Sequence, residues 1–187
     1  MKSFLAAGLI SIAAISPNAA QADEGKPILL VASPAMQGFY SQAMVLVIPK
    51  KGAHVGFIIN RASHTTLGSA FPNEPRSAKL ADPIYFGGPE AMKSMYAVVR
   101  RDPGEGSRRL FGEVFVTVSA KTVDRIIEQR PHEARYFAGF VAWDEGELSN
   151  EIEGGQWLMA EPDEAILFRK DTEAMWRELV ERLQNTL

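Results

Sequence analysis

The chain has 187 residues, 46% hydrophobic and 23% charged, with 20 basic against 23 acidic side chains, a net charge of −3 and no cysteine. Net acidity argues against nucleic acid as a partner, because its binders present a basic face. The lack of cysteine excludes disulfides, thiol catalysis and thiolate metal ligands, so stability must come from core packing.

Residues 1–22 read as an export signal. Lys2 gives a positive start, Phe4 to Ile15 is almost wholly apolar, and Ala20-Gln21-Ala22 places small residues where a signal peptidase reads them. The apolar run is about a dozen residues long, whereas a membrane span needs ~20. Cleavage near Ala22 is expected, leaving residues 23–187, a length suited to one domain with a full core. No later run reaches spanning length. The expected destination is therefore the periplasm or the medium, with no stable membrane insertion after cleavage.

Asp23 to Pro27 is a polar lead-in. Ile28 to Ala32 is a short continuous apolar run closed by Ser33-Pro34, which fits a buried strand. Met44 to Ile48 and Val55 to Ile59 repeat that character on either side of the turn-forming Pro49-Lys50-Lys51-Gly52, predicting three neighbouring strands of one sheet. Leu67 to Phe71 forms a helical turn stopped by Pro72. Ile84 to Phe86, Met95 to Val99 and Val114 to Val118 read as further strands, with Arg100 to Arg109 as a loop of mixed charge.

Ser119 is the expected N-cap of a helix that carries Val123, Ile126 and Ile127 on one face and ends before Pro131. Tyr136 to Ala142 is a strand with Gly139 at a close approach of two backbones. Trp143 to Gly146 turns the chain into a short helix with Leu148 and Ile152 on one face, ended by Gly154-Gly155. Gln156 to Ala160 and Ile166 to Phe168 complete the strands. Thr172 is the expected cap of a closing helix in which Trp176, Leu179, Val180 and Leu183 recur at helical spacing. Strands in consecutive groups predict an α+β fold, a mixed and strongly curved sheet forming a partly open pseudo-barrel with helices packed outside.

Signals for catalysis are weak. No serine lies in a Gly-x-Ser-x-Gly turn or has a lysine three residues on, so Ser33 reads as a turn residue. His54, His64 and His132 lack the i, i+4 spacing that grips zinc on a helix, and no metal or cofactor is expected. Gly87-Gly88-Pro89 is too short to cradle a phosphate, and Gly104-Glu105-Gly106 sets an acid in the way. Arg100-Arg101 and Arg108-Arg109 form a basic patch only if a hairpin brings them together. The carboxylates Asp144, Glu145, Glu147, Glu151 and Glu153 have an ordinary place near a helix start, where the dipole favours acids.

Four pieces stand in a recognisable order: Leu29 to Met36, Gly56-Phe57-Ile58-Ile59-Asn60-Arg61, Phe86-Gly87-Gly88-Pro89, and Gly139 through Trp143 to Leu148 with Glu151 and Trp157. Together they resemble the YqgE/AlgH family over about Leu29 to Leu183. The resemblance implies a single α+β domain whose bifurcated sheet bends into a partly open barrel, with no catalytic mechanism attached. It maps a candidate groove onto Ser33, Pro34, Met36, Asn60, Arg61, Gly87, Gly88, Pro89, Trp143, Gly146 and Trp157, to which Glu147 adds charge where the family often has glutamine. Ala62 likewise stands where the family usually has proline.

Some family members are labelled transcriptional regulators, a role that an exported chain cannot perform by touching DNA. The leading expectation is an exported, non-enzymatic protein that binds an unidentified protein or small-molecule ligand. One alternative is a hydrolase-type enzyme using Asn60, Arg61 and a carboxylate or histidine in one pocket. The other is a cytoplasmic regulator beginning near Asp23.

Overall fold

A computed structural model describes residues 25–185, so the export signal read in residues 1–22 lies outside the described residues. In chain order the strands are β1 (Ile28–Ala32), β2 (Met44–Lys50), β3 (Ala53–Ile58), β4 (Ala62–Thr66), β5 (Pro83–Phe86), β6 (Glu90–Val99), β7 (Ser107–Phe111), β8 (Val114–Thr117), β9 (Ala134–Asp144) and β10 (Trp157–Ala160). The helices are α1 (Leu67–Ala70), α2 (Ala120–Gln129), α3 (Glu147–Glu153), α4 (Glu164–Leu167) and α5 (Met175–Gln184). Strand order is β10-β1-β2-β3-β9-β6-β8-β7, curled into a half-barrel, with β4 and β5 branching off at β9. All pairings are antiparallel except β5 with β9, which makes the sheet mixed as expected.

The continuous apolar runs of β1 to β3 arise because both faces of this part of the sheet are covered. Leu29, Val31, Leu46 and Phe57 face one cluster with Leu179 and Val180 of α5. Leu30, Ala32, Val45 and Ile58 face a second with Trp143, Leu148 and Trp157. A third cluster seats Val123, Ile126 and Ile127 of α2 against Ala97, Val99 and Phe115. The Ser119 cap is present, its side chain accepting from the Thr122 N–H.

β9 is where the sheet divides. Its last residues pair with β3, from Gly56↔Val141 to Ala53↔Asp144, while its first pair with β6, from Met95↔Ala138 to Val99↔Ala134. β5 lies along its middle, Tyr85 beside Phe137 and Phe86 beside Ala138.

Three local expectations are corrected, and one strand is added. The end of the expected Arg100 to Arg109 loop is extended, since Ser107–Phe111 form strand β7, paired with β8 at the edge of the sheet. Its Arg108 and Arg109 hide the strand from sequence patterning, yet charged side chains are what protects an open edge from foreign pairing. Ala62–Thr66 forms strand β4, whose polar sequence carries no apolar period, and its ladder to β5 is irregular. Ile166 to Phe168 is helical, not extended: Asp163 accepts from the Ile166 N–H at 2.8 Å and the chain turns as α4. Three apolar residues alone do not distinguish the two. Finally, α5 starts at Met175 after Ala174, without a side-chain cap, so Thr172 lies in the preceding turn.

Candidate functional site

β1 leaves the sheet through a β-turn. The Met36 N–H donates to the Ser33 carbonyl at 2.9 Å with Pro34 at the position its fixed φ suits, and the Ser33 N–H donates to the Gln156 carbonyl at 2.9 Å. Ser33 is buried by these contacts. Gln37 then leads into a single 3-10 turn, Gly38–Tyr40, which places Phe39 in solvent at 50% exposure and folds Tyr40 back toward Trp157.

Asn60 and Arg61 hold that segment. The Asn60 Oδ1 accepts from the Met44 N–H at 2.9 Å and its Nδ2 donates to the Gln42 carbonyl at 2.9 Å. Gln42 has φ 59, a left-handed conformation unfavourable for a residue with a Cβ, and the Asn60 amide bonds its carbonyl and the N–H two residues on. Arg61 donates to the carbonyls of Phe39 and Ser41, and its guanidinium carbon lies 5.0 Å from the Phe39 ring centroid. Burial holds the Arg61 pKa below its ordinary value, with Tyr40 opposing.

Gly87 and Gly88 fill the fork between β3 and β9. The Ile58 N–H donates to the Gly87 carbonyl at 2.9 Å, and the Gly87 N–H to the Ala138 carbonyl at 2.8 Å, so one residue ties both branches. A Cβ at Gly87 would lie 2.2 Å from the Gly139 oxygen, and one at Gly139, whose φ is +72, would lie 2.3 Å from the Gly88 oxygen. The expected close approach at Gly139 is therefore present, with Gly87-Gly88 as its partner. Pro89, exposed, follows as the chain enters β6.

Trp143 and Trp157 close the assembly. Both indoles are nearly buried, at 3% and 4% exposure, and both donate to the same Glu151 oxygen, at 2.9 and 2.7 Å. Gly146 takes φ +82 as the N-cap of α3, and the Glu147 carboxylate accepts from the Asp144 N–H at 3.0 Å. Burial raises the Tyr40 hydroxyl pKa, Glu151 adds to that and Arg61 opposes it. The outer surface is an aromatic ledge: the Phe39 centroid is 4.8 Å from Tyr40 and 5.7 Å from Phe86, both edge-on.

Trp143 and Trp157 thus meet in the second core cluster, with Met36, Tyr40 and Phe86 packed against it. Asn60 and Arg61 bind the loop above it. Sequence reasoning left out Phe39 and Tyr40, although an exposed Gly38-Phe39-Tyr40 between two strands is the kind of signal that marks them.

The other candidates are elsewhere. His64 is exposed on β4, and the buried Nδ1 of His54 has no hydrogen-bond partner among the described residues. The four arginines do not form a patch: Arg100 pairs with Glu164 at 2.9 Å, Arg101 with Glu133 at 3.7 Å and Arg109 with Glu113, while Arg108 donates to the Pro49 carbonyl at 3.1 Å. Among the described residues no group of three or more histidines and carboxylates is placed to hold a metal ion.

Comparison with known proteins places this architecture. The AlgH-like family model matches residues 29–187. A UPF0301 protein of Vibrio parahaemolyticus is 29% identical over 167 residues, covering 82% of this chain and 89% of that protein. One from Coxiella burnetii is 28% identical over 156 residues, covering 79% and 83%. The solution structure of Pseudomonas aeruginosa AlgH superposes with a TM-score of 0.70 at 23% identity, over 84% of this chain and 87% of that one. A crystal structure of a Corynebacterium diphtheriae protein gives 0.70 at 22% identity, over 84% and 86%. These likenesses carry the fold, and the family carries no defined biochemical activity. The chain belongs to the AlgH-like, UPF0301 family.

Proposed function

We propose that this protein is exported and works without catalysis, binding a protein or small-molecule ligand through the ledge of Phe39, Tyr40, Phe86 and Arg61. The observation that carries this reading is the use made of Asn60 and Arg61. Their polar groups are bonded to the main chain of residues 39–44, where they fix a loop whose outward product is a half-exposed aromatic ring beside a cation. A hydrolase would need those same groups turned toward a substrate. An aromatic beside an arginine is instead the composition of binding hot spots, which are enriched in those residue types.

The experiment joins compartment to binding. Cells expressing the full chain are fractionated, and the protein is subjected to N-terminal sequencing. An N-terminus at Asp23 in the periplasmic fraction supports export, and an intact Met1 in the cytoplasm overturns it. The purified protein and its Phe39→Asp variant are then incubated with periplasmic extract. Recovery of a ligand by the first and loss of at least about tenfold of it by the second is expected, since a hot-spot aromatic contributes roughly 1.4 kcal/mol or more. Equal recovery by both removes the ledge from the proposal.

A further inference from the structure

On another part of the molecule, the cavity bounded by β5, the start of β9 and the segment after α4 has a volume of about 310 Å³ and is lined by Asp82, Tyr85, Arg100, His132, Arg135 and Lys170 among others. We propose that it binds a small organic oxyanion, a carboxylate or a phosphate monoester, with the Arg135 guanidinium as its anchor.

The deepest cation of the cavity is Arg135. It is 6% exposed on β9, held by hydrogen bonds to the carbonyls of Ile59 and Arg169, with its guanidinium carbon 4.1 Å from the Tyr85 ring centroid. Two carbonyls and a ring face orient the group but do not neutralise it. No carboxylate pairs with it among the described residues, and a charge out of water without a counter-charge is expensive. Two bonds leave further N–H donors of the five it carries for the cavity that it lines.

The neighbouring charges do not supply the missing anion. Arg100 is engaged by Glu164 at 2.9 Å and stacks on Phe168 at 4.3 Å, and Lys170 is engaged by Asp82 at 2.9 Å. Two carboxylates thus serve two rim cations, and the buried third is left over. Burial depresses the Arg135 pKa and Arg100 adds to that, while Tyr85 and Asp82 oppose it without offsetting the burial. A planar fork set at the floor of a cavity suits an oxyanion taken up two oxygens at a time. The volume lies at the small end of ligand cavities, which suits a short acid or a small phosphate ester rather than a large cofactor. A second cavity of about 450 Å³ is lined by Ile48, Val55, Phe57 and Phe140 with Lys50 and Arg108 among others, and neither of those cations is as deeply buried as Arg135.

The test is an NMR titration of protein purified from cells expressing the full chain, with inorganic phosphate and with succinate at constant ionic strength, against chloride. One or both should give saturable shifts confined to the amides of Tyr85, Arg135 and Lys170 and to the Arg135 Nε–H. Saturation by phosphate alone selects the phosphate ester, and by succinate alone the carboxylate. Lys170→Glu, at a side chain 85% exposed, should weaken binding by about tenfold without disturbing the fold. Lys93→Glu, the same charge change at an exposed side chain of β6, should leave it within about twofold. Arg135→Lys should weaken it further by removing the fork. If that variant does not fold, the two lysine variants decide. Absence of saturation by ~50 mM of either anion, shifts scattered over surface lysines, or equal loss from both lysine variants overturns the proposal.

Discussion

At the residue scale, the most consequential side chain is one whose role no local pattern reveals. Glu151 is a half-buried carboxylate whose single oxygen accepts from two indoles of different strands, Trp143 at the end of β9 and Trp157 at the start of β10. Removing it leaves two buried N–H donors without an acceptor, at about 1–3 kcal/mol each. Glu151→Ala is therefore expected to lower stability by about 2–4 kcal/mol and to shift the denaturation midpoint and tryptophan emission together. Glu151→Gln retains an acceptor oxygen and should cost under half as much. Equal losses from the two would mean that the carboxylate, not its acceptor geometry, holds the indoles. The four-piece resemblance includes Glu151, Trp143 and Trp157, so their importance was legible. Their mutual bonding was not, because it joins residues through a turn and a helix that place one carboxylate between two ring systems. Asn60 and Arg61 were legible as a motif in the same sense. Their partners on residues 39–44 depend on the β2–β3 register, and no residue spacing specifies that.

At the element scale, patterning succeeds where an element has an apolar face and fails where it has none. β1, β2, β3 and α2 were readable because each is buried on at least one side with the appropriate period. β4 and β7 are polar strands at the margins of the sheet, formed by pairing with β5 and β8 rather than by their own hydrophobicity. α4 is a single capped turn. The glycines of the fork belong to this scale too, since their requirement is a distance between two elements. Gly139→Ala should destabilise by about 3 kcal/mol or more, because its φ of +72 combines with a Cβ placed 2.3 Å from the Gly88 oxygen and 2.7 Å from that of Glu90, both backbone. Gly146 has a similar φ of +82 but nothing within 4 Å of its Cβ position, so Gly146→Ala should cost only about 1–2 kcal/mol. Urea unfolding of the two variants separates conformational strain from steric closure of the fork. Similar losses would place the requirement in φ alone.

At the scale of the whole molecule, β9 unites parts that could otherwise behave separately. Each of the three core clusters takes side chains from it: Phe137 in the first, Val141 and Trp143 in the second, Tyr136 in the third. In the strand ladder of the described residues, the half of the sheet carrying β10 to β3 is connected to the half carrying β6 to β7 through β9, and Gly87 is bonded to β3 and to β9. Neither half can lose its packing without exposing one face of β9, which is buried at Tyr136, Phe137, Val141 and Trp143. Unfolding should therefore be a single cooperative step. In a Trp176→Phe background, tryptophan emission comes from Trp143 and Trp157 of the second cluster, and the near-ultraviolet difference made by Tyr136→Phe reports on the third. Their denaturation midpoints should coincide with that of far-ultraviolet circular dichroism within about 0.2 M urea, with the slope expected for the full exposed surface. The chain has no cysteine, so reductant should leave all three unchanged. A tryptophan transition that precedes the others would show that the first half of the sheet opens on its own, and that the Gly87 junction at β9 is a hinge instead of a bond between the two.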